Sequence, residues 1–325
     1  TGLLLKHYSI KMENKIKKIN FNHSFIFFLF SNIFSLILFK FSNFTLSPLL
    51  CLFLILVIGV SHGSLDHLKG EKLFKILKIN NVSLFYFTYI FIASIVIVFW
   101  ILIPSISLII FLFVASYHFG KEDTQFLINK ETFLIQILYF LKGSLIIFAP
   151  IFFNFDETIS LFKLLLVDNE NFYSSLGYIE NNKLILLGII ISSIASIILF
   201  VKEFNFKNLT IFFDYFSILI LNYYLSPLVA FTAYFCFLHS IRHSISLIDE
   251  LDGDNIKNGL KIFIKKALPL TILTASFCLI CLYLLNYKFD FNSSIIKVIF
   301  IGLASLTFPH ILLEYLIEKN EKQRN

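Results

Sequence analysis

Ten long apolar runs follow one another along this chain, at residues 24–40, 44–62, 82–103, 104–120, 132–153, 184–201, 208–225, 227–248, 268–287 and 294–317. A bilayer core about 30 Å thick takes roughly 20 apolar residues per helix. With no water there to bond the backbone, such runs fold as helices. The third and fourth runs are separated only by Pro104, and the first and fourth are short. Hydrophobic residues make up 58% of the chain and charged residues 15%, against about 25% charged in a soluble domain. A water-soluble globule could not hide that much apolar surface. The expectation is an all-α, polytopic integral membrane protein of about ten transmembrane helices (eight to ten fit the runs). Residues 1–23 form a basic tail, 24–318 a single transmembrane domain and 319–325 a second tail. Residues 1–11 precede the only methionine, Met12, and are set aside as sequence that need not be native.

The lysines orient the bundle. With the N-terminus inside, 20 of the 27 Lys and Arg residues fall in inner segments, in groups such as Lys15, Lys17 and Lys18, Lys69 to Lys78, and Lys257 to Lys266. Five, Lys40, Lys163, Lys183, Lys288 and Lys297, fall outside, while Lys142 and Arg242 lie within runs. This bias places both termini in the cytoplasm, in the inner (plasma) membrane. The long outer loop 154–183 is acidic, with a short amphipathic helix expected around Ile159–Val167. The net charge of +6 resides in these short loops and is no nucleic-acid footprint. Cys51, Cys236, Cys278 and Cys281 all lie in apolar runs and read as small core residues.

Against this apolar background the histidines stand out, because polar groups inside a membrane are expensive. His7 and His23 near the N-terminus carry no assignment. The other six fall in four places: His62 and His67 in HGSLDH, His118 in HFGKED, His239 and His243 in FLHSIRH, and His310 in PHILLE. All four runs descend from outside to inside, with the histidines in their last third. The sites therefore converge at one depth, toward the cytoplasmic face. His239 and His243 share a helix face at i and i+4, a spacing that lets two imidazoles reach one ion. Together with His62 and His118 they make a four-His set.

Carboxylates accompany them: Asp66 four residues after His62, Glu122 after His118 with Asp123 beside it, and Glu314 after His310. A metal-bound His usually gives its other ring N–H to a carboxylate or carbonyl. These acids can serve on their own helix or pair with a ligand from a neighbour. Structural readings stand beside the functional ones. His67 reads as a helix-end residue, Gly120 as an αL cap ending the His118 helix, His310 as a kink residue after Pro309, and Arg242 as snorkelling or paired with a carboxylate. Asp66, His67, Glu122, Asp123, His310 and Glu314 are thus second-layer residues or further ligands. Four imidazoles without a thiolate suit Fe(II), Zn, Cu or Mn. Zinc would be closed by four ligands, whereas six-coordinate iron leaves room for O₂. Helices rich in Phe and Tyr around such a site suit an elongated hydrocarbon, with Tyr117, Tyr234, Phe235 and Phe237 as candidates to line its path.

At these motifs the chain resembles the Brp/Blh family of membrane β-carotene 15,15′-dioxygenases, found with microbial rhodopsins. The matching pieces are His62 to His67, His118 to Asp123, Phe237 to His243, and Pro309 with His310. The resemblance implies non-haem Fe(II) on His62, His118, His239 and His243. It further implies cleavage of the central double bond of β-carotene with O₂ to give two retinals, and a functional link to a retinal-binding rhodopsin. Two other classes fit less well. A di-iron desaturase needs several HxxxH or HxxHH boxes, and here there is one HxxxH. A divalent-metal transporter needs a path through both leaflets, yet these ligands crowd one face.

Overall fold

The structure, a computed structural model, describes residues 2–40, 46–61, 63–81, 83–202 and 204–322. Among the described residues there is no strand. The helices are α1 (Gly2–Lys40), α2 (Pro48–Leu54), α3 (Asp66–Ile76), α4 (Ser83–Leu102), α5 (Pro104–Glu122), α6 (Phe133–Gly143), α7 (Leu145–Phe153), α8 (Phe155–Leu164), α9 (Glu170–Asn181), α10 (Leu184–Lys202), α11 (Thr210–Tyr224), α12 (Pro227–Ala233), α13 (Ile241–Leu251), α14 (Ile256–Leu285) and α15 (Phe291–Lys322). Two π-helical segments join them, Ile55–Gly59 after α2 and Tyr234–Ser240 between α12 and α13.

Among the described residues, eight helical segments are long and apolar enough to cross a membrane. They cover eight of the ten expected runs, and the protein is an integral membrane protein. The runs expected at 208–225 and 227–248 are also helical: α11 has 15 residues, and α12, its π segment and α13 form one continuous rod. These two carry buried polar residues, Asp214, His239, Arg242 and His243 among them, which is why they fall short of a simple apolar span. The basic N-terminal segment is not set off by a break, since α1 runs unbroken into the first span. The loop at 154–183 holds two helices, α8 and α9, where one was expected. It is tied to the bundle by Trp100, whose indole N–H donates to the Leu165 carbonyl at 2.9 Å.

Large apolar side chains such as Phe87, Leu102, Phe113 and Leu273 are exposed on the outside of the bundle, as lipid contact requires. Inside, α1 packs along α11, α5 against α6, and α15 against α3 and α4. The α5–α6 contact is set by two glycines. A Cβ on Gly120 would sit 1.8 Å from the Tyr139 carbonyl oxygen, and one on Gly143 would sit 1.9 Å from that of Ser116. Small residues allow such backbone-to-backbone approach between membrane helices. Gly120 is therefore not an αL cap: no described glycine has a positive φ, and α5 continues through it to Glu122. The extra turn matters, because it carries Lys121 and Glu122 and ends on Asp123.

Candidate functional site

Four elements meet at the end of the bundle that carries the lysines of α3 and α5. The last turn of α5 brings His118, Glu122 and Asp123, the rod brings His239, Arg242 and His243, α15 brings His310 and Glu314, and the start of α3 brings Asp66 and Lys69. The rod is not a plain α-helix at this point. His239 lies in the π segment and His243 in α13. Such bulges loosen backbone pairing and often mark functional sites. Here His23 of α1 reaches the Phe237 carbonyl at 2.8 Å through Nε2, so a histidine left unassigned from sequence braces the bulge. The two π segments face each other, Ser240 donating to the Gly59 carbonyl at 3.2 Å.

The imidazoles form a chain of neighbours. The His118 ring centroid lies 5.3 Å from those of His239 and His310, and His310 lies 5.7 Å from His243. His118, His239, His243 and His310 are all buried. Three of them are braced in one way. His239 Nδ1 lies 3.2 Å from Asp123 Oδ1, His243 Nδ1 2.9 Å from Glu122 Oε2, and His310 Nδ1 2.9 Å from both oxygens of Asp66. An ionised carboxylate only accepts. Each Nδ1 is therefore the donor, and in a neutral ring the lone pair is left on Nε2. The braces are braced in turn: Tyr234 donates to Asp123 Oδ2 at 2.6 Å and Tyr89 to Asp66 Oδ2 at 2.8 Å. The carboxylates one turn beyond a histidine in sequence thus serve histidines on other helices. Among the described residues, only Glu314 stays with its own, 3.5 Å from His310 Nε2.

Glu314 is also the common neighbour, 3.9 Å from His243 Nε2 and 4.0 Å from His118 Nδ1, and it accepts from Lys69 Nζ at 2.7 Å. Among the described residues, two groups have ligand-type atoms all within 4.8 Å of one another: His118, His310 and Glu314, and Glu122, His243 and Glu314. Beneath them Arg242, 2% exposed, forks onto Asp214 (2.7 and 3.0 Å) and donates to the Asp123 carbonyl (3.0 Å) and Ser24 (2.5 Å). It pairs inside the bundle rather than snorkelling.

A cavity of about 240 Å³ opens beside the histidines, lined by His118, His239, His310, Phe119, Phe235 and Leu303 among others. Tyr86, Ile90 and Leu273, at its edge, are exposed to the lipid side. Of the four aromatics assigned to a substrate path, Phe235 lines this cavity. Tyr234 points instead to Asp123, Phe237 packs on Phe30 of α1 at 5.6 Å, and Tyr117 is outside the lining. A second cavity, of about 380 Å³, meets Glu122, His243 and Glu314 from the charged end, where Lys69, Lys72, Glu318 and Glu321 line it.

His62 lies outside the described residues. His67 turns its Nδ1 to the Ser64 carbonyl at 2.9 Å, a helix-start contact, and borders the apolar cavity. His310, ranked from sequence outside the four-His set, stands in the chain of rings. Three residues escaped sequence reading. Asp214 had a signal, an acid within an apolar run. Tyr89 and Lys69 had none, one being an ordinary span aromatic and the other a loop-end lysine. Lys142 is buried, its carbonyl accepting from Ser192 at 3.1 Å, and it lines a small pocket with Asp123 and Tyr215.

A bundle of lipid-facing helices that buries four histidines, braces them with carboxylates and opens an apolar cavity onto them defines a polytopic membrane protein with a histidine–carboxylate centre. Residues 53–318 match the β-carotene 15,15′-dioxygenase family, and the chain belongs to that family. A β-carotene 15,15′-dioxygenase from uncultured marine bacterium 66A03 is 28% identical to it over 264 residues, 80% of this chain and 90% of the relative. No solved structure shows significant similarity to the chain.

Proposed function

We propose that this protein cleaves β-carotene at its central 15,15′ double bond with O₂, giving two retinals, at a non-haem Fe(II) held by His62, His118, His239 and His243, with His310, beside His118 and His243, as a further ligand. The C=C bond is replaced by two C=O bonds, each carbon taking one atom of O₂, so no further reductant is needed. The observation that carries the reading is the common bracing of His239, His243 and His310: each gives Nδ1 to a carboxylate, and Nε2 of His243 and of His310 lies 3.9 and 3.5 Å from Glu314. That is the arrangement expected of metal-bound imidazoles, and a nitrogen-rich set with one nearby carboxylate, Glu314, suits Fe(II). His62 enters through its motif alone.

Bound iron would supply activation of O₂. The protein's own part is to hold the rings, exclude water and orient the polyene. The Asp66–Tyr89 and Asp123–Tyr234 pairs fix two of the rings. Phe119, 4.7 Å from His239 by ring centroids, and Phe235, stacked on His239 at 5.8 Å, give the cavity an aromatic wall beside the centre. Holding one double bond at a fixed place is worth much of the rate. The lysine bias supports a cytoplasmic position for this end, and the retinal formed there would suit a retinal-binding rhodopsin in the same membrane.

The test is purified protein with β-carotene. Retinal formation that requires iron and is abolished in His239→Ala and His243→Ala supports the reading. Divalent-metal flux in proteoliposomes without retinal would instead favour a transporter.

A further inference from the structure

A third cavity, of about 90 Å³, lies beyond the first and shares one lining residue with it, Phe119. Three elements pass both. On α5, Ala115 and Ser116 face the third cavity and His118 the first. Along the rod Phe231 faces the third and Phe235 the first, and on α15 the pair is Phe300 and Leu303. The cavities are thus stacked one helical turn apart. Three rings part them: Phe231 stacks on Phe235 at 5.5 Å, and Phe119 lies 6.2 Å from Phe235. The walls beyond are apolar. Their two hydroxyls are bonded elsewhere, Ser116 to the Leu112 carbonyl at 2.9 Å, and Thr158 to the Pro150 and Asn154 carbonyls at 3.0 and 2.8 Å.

A polyene cut at its midpoint needs room for one half on each side of the reacting bond. The cavity at the histidines opens to lipid past Tyr86, Ile90 and Leu273. Of the two larger spaces beside it, the one at the charged end would strip water from lysines and glutamates to admit hydrocarbon. We propose that the cavity beyond Phe119 receives the far half of the substrate, with Phe119, Phe231 and Phe235 parting to let it through. The depth of this arm, between Phe119 and α8, sets which double bond faces the centre. This rests on the carotenoid-cleavage reading above.

Two variants of the full-length protein fill the arm from opposite walls, Ala115→Phe on α5 and Leu161→Phe on α8; the second guards against misfolding of the first. Each is assayed, with iron content and melting temperature as folding controls, on β-carotene and on an apocarotenal that keeps one ring and the central bond but lacks the other end. The expected result is a loss on β-carotene of the order of tenfold relative to the shortened substrate. Unequal aldehydes should appear among the residual β-carotene products. Equal loss on both substrates, or unchanged turnover with retinal as sole product, in a variant with wild-type iron content overturns the proposal. If wild-type protein forms no retinal from either substrate, it is the cleavage reading that fails, and this inference falls with it.

Discussion

Both carboxylate oxygens of Asp66 lie 2.9 Å from Nδ1 of His310, a residue 244 positions away in the chain. The contact joins the start of α3 to the middle of α15 and fixes which face of the imidazole looks into the centre. Asp66→Asn keeps the shape but replaces an acceptor pair with one amide oxygen. Loss of such a partner typically costs 10–100-fold in metal affinity. Asp66→Asn should therefore hold iron about that much more weakly in a competition with a chelator, with little change in melting temperature for the metal-free protein. Unchanged affinity would remove Asp66 from the site.

Arg242 and Asp214 form a buried pair, and Arg242 also holds the Asp123 backbone. Breaking a buried pair from one side leaves an uncompensated charge and costs about 3–5 kcal/mol. Arg242→Met should lower stability by that order in denaturation from lipid or detergent. The double variant Arg242→Met with Asp214→Leu should recover most of it. Iron content should fall in the single variant and stay below wild type in the double, because the Asp123 carbonyl loses its anchor in both.

Gly120 is a packing requirement. Its missing Cβ lets α5 approach the Tyr139 backbone, which cannot rotate away as a side chain would. Gly120→Ala should destabilise the protein by at least the ~1–3 kcal/mol typical of overpacking. It should also displace the turn that carries Glu122 and Asp123, so melting temperature and iron content fall together. Gly177 of α9, whose Cβ would meet nothing within 4 Å, is the control, and Gly177→Ala should cost little.

The apolar spans were legible, and so were many of the polar residues that gather in the buried cluster, because both follow from the cost of polar groups in hydrocarbon. That cost makes Asp66, Glu122, Asp123 and His310 conspicuous in any run of Phe and Leu. Pairing was not legible. An i+4 rule sees only neighbours on one helix, whereas Asp66 meets His310, Glu122 meets His243 and Asp123 meets His239 across helix contacts. The aromatic path was not legible either. Phe is so abundant, at 42 residues, that periodicity could not separate Phe119 and Phe235 at the cavity from Phe237 against α1. The π segment at Tyr234–Ser240 adds to this, since it rotates the residues around it out of ideal α-helical register.

Glu314 and Lys69 give the sharpest test of the centre's charge. Glu314 lies within 4.0 Å of ring nitrogens of His118, His243 and His310, and Lys69 Nζ is 2.7 Å from its Oε1. Without a metal, Lys69 is the nearest cation neutralising this partly buried carboxylate. In Lys69→Met that cation is gone, so the metal-free protein is destabilised and a divalent cation has more to gain by binding. A ligand that binds only the folded state raises stability through its affinity. The rise in melting temperature on adding Fe(II) under anaerobic conditions should therefore be larger in Lys69→Met than in wild type. In Glu314→Gln, which keeps the shape and removes the charge, it should be smaller. Equal shifts in all three proteins would mean that Glu314 does not feel the ion, and would leave the histidines as its only electrostatic surroundings.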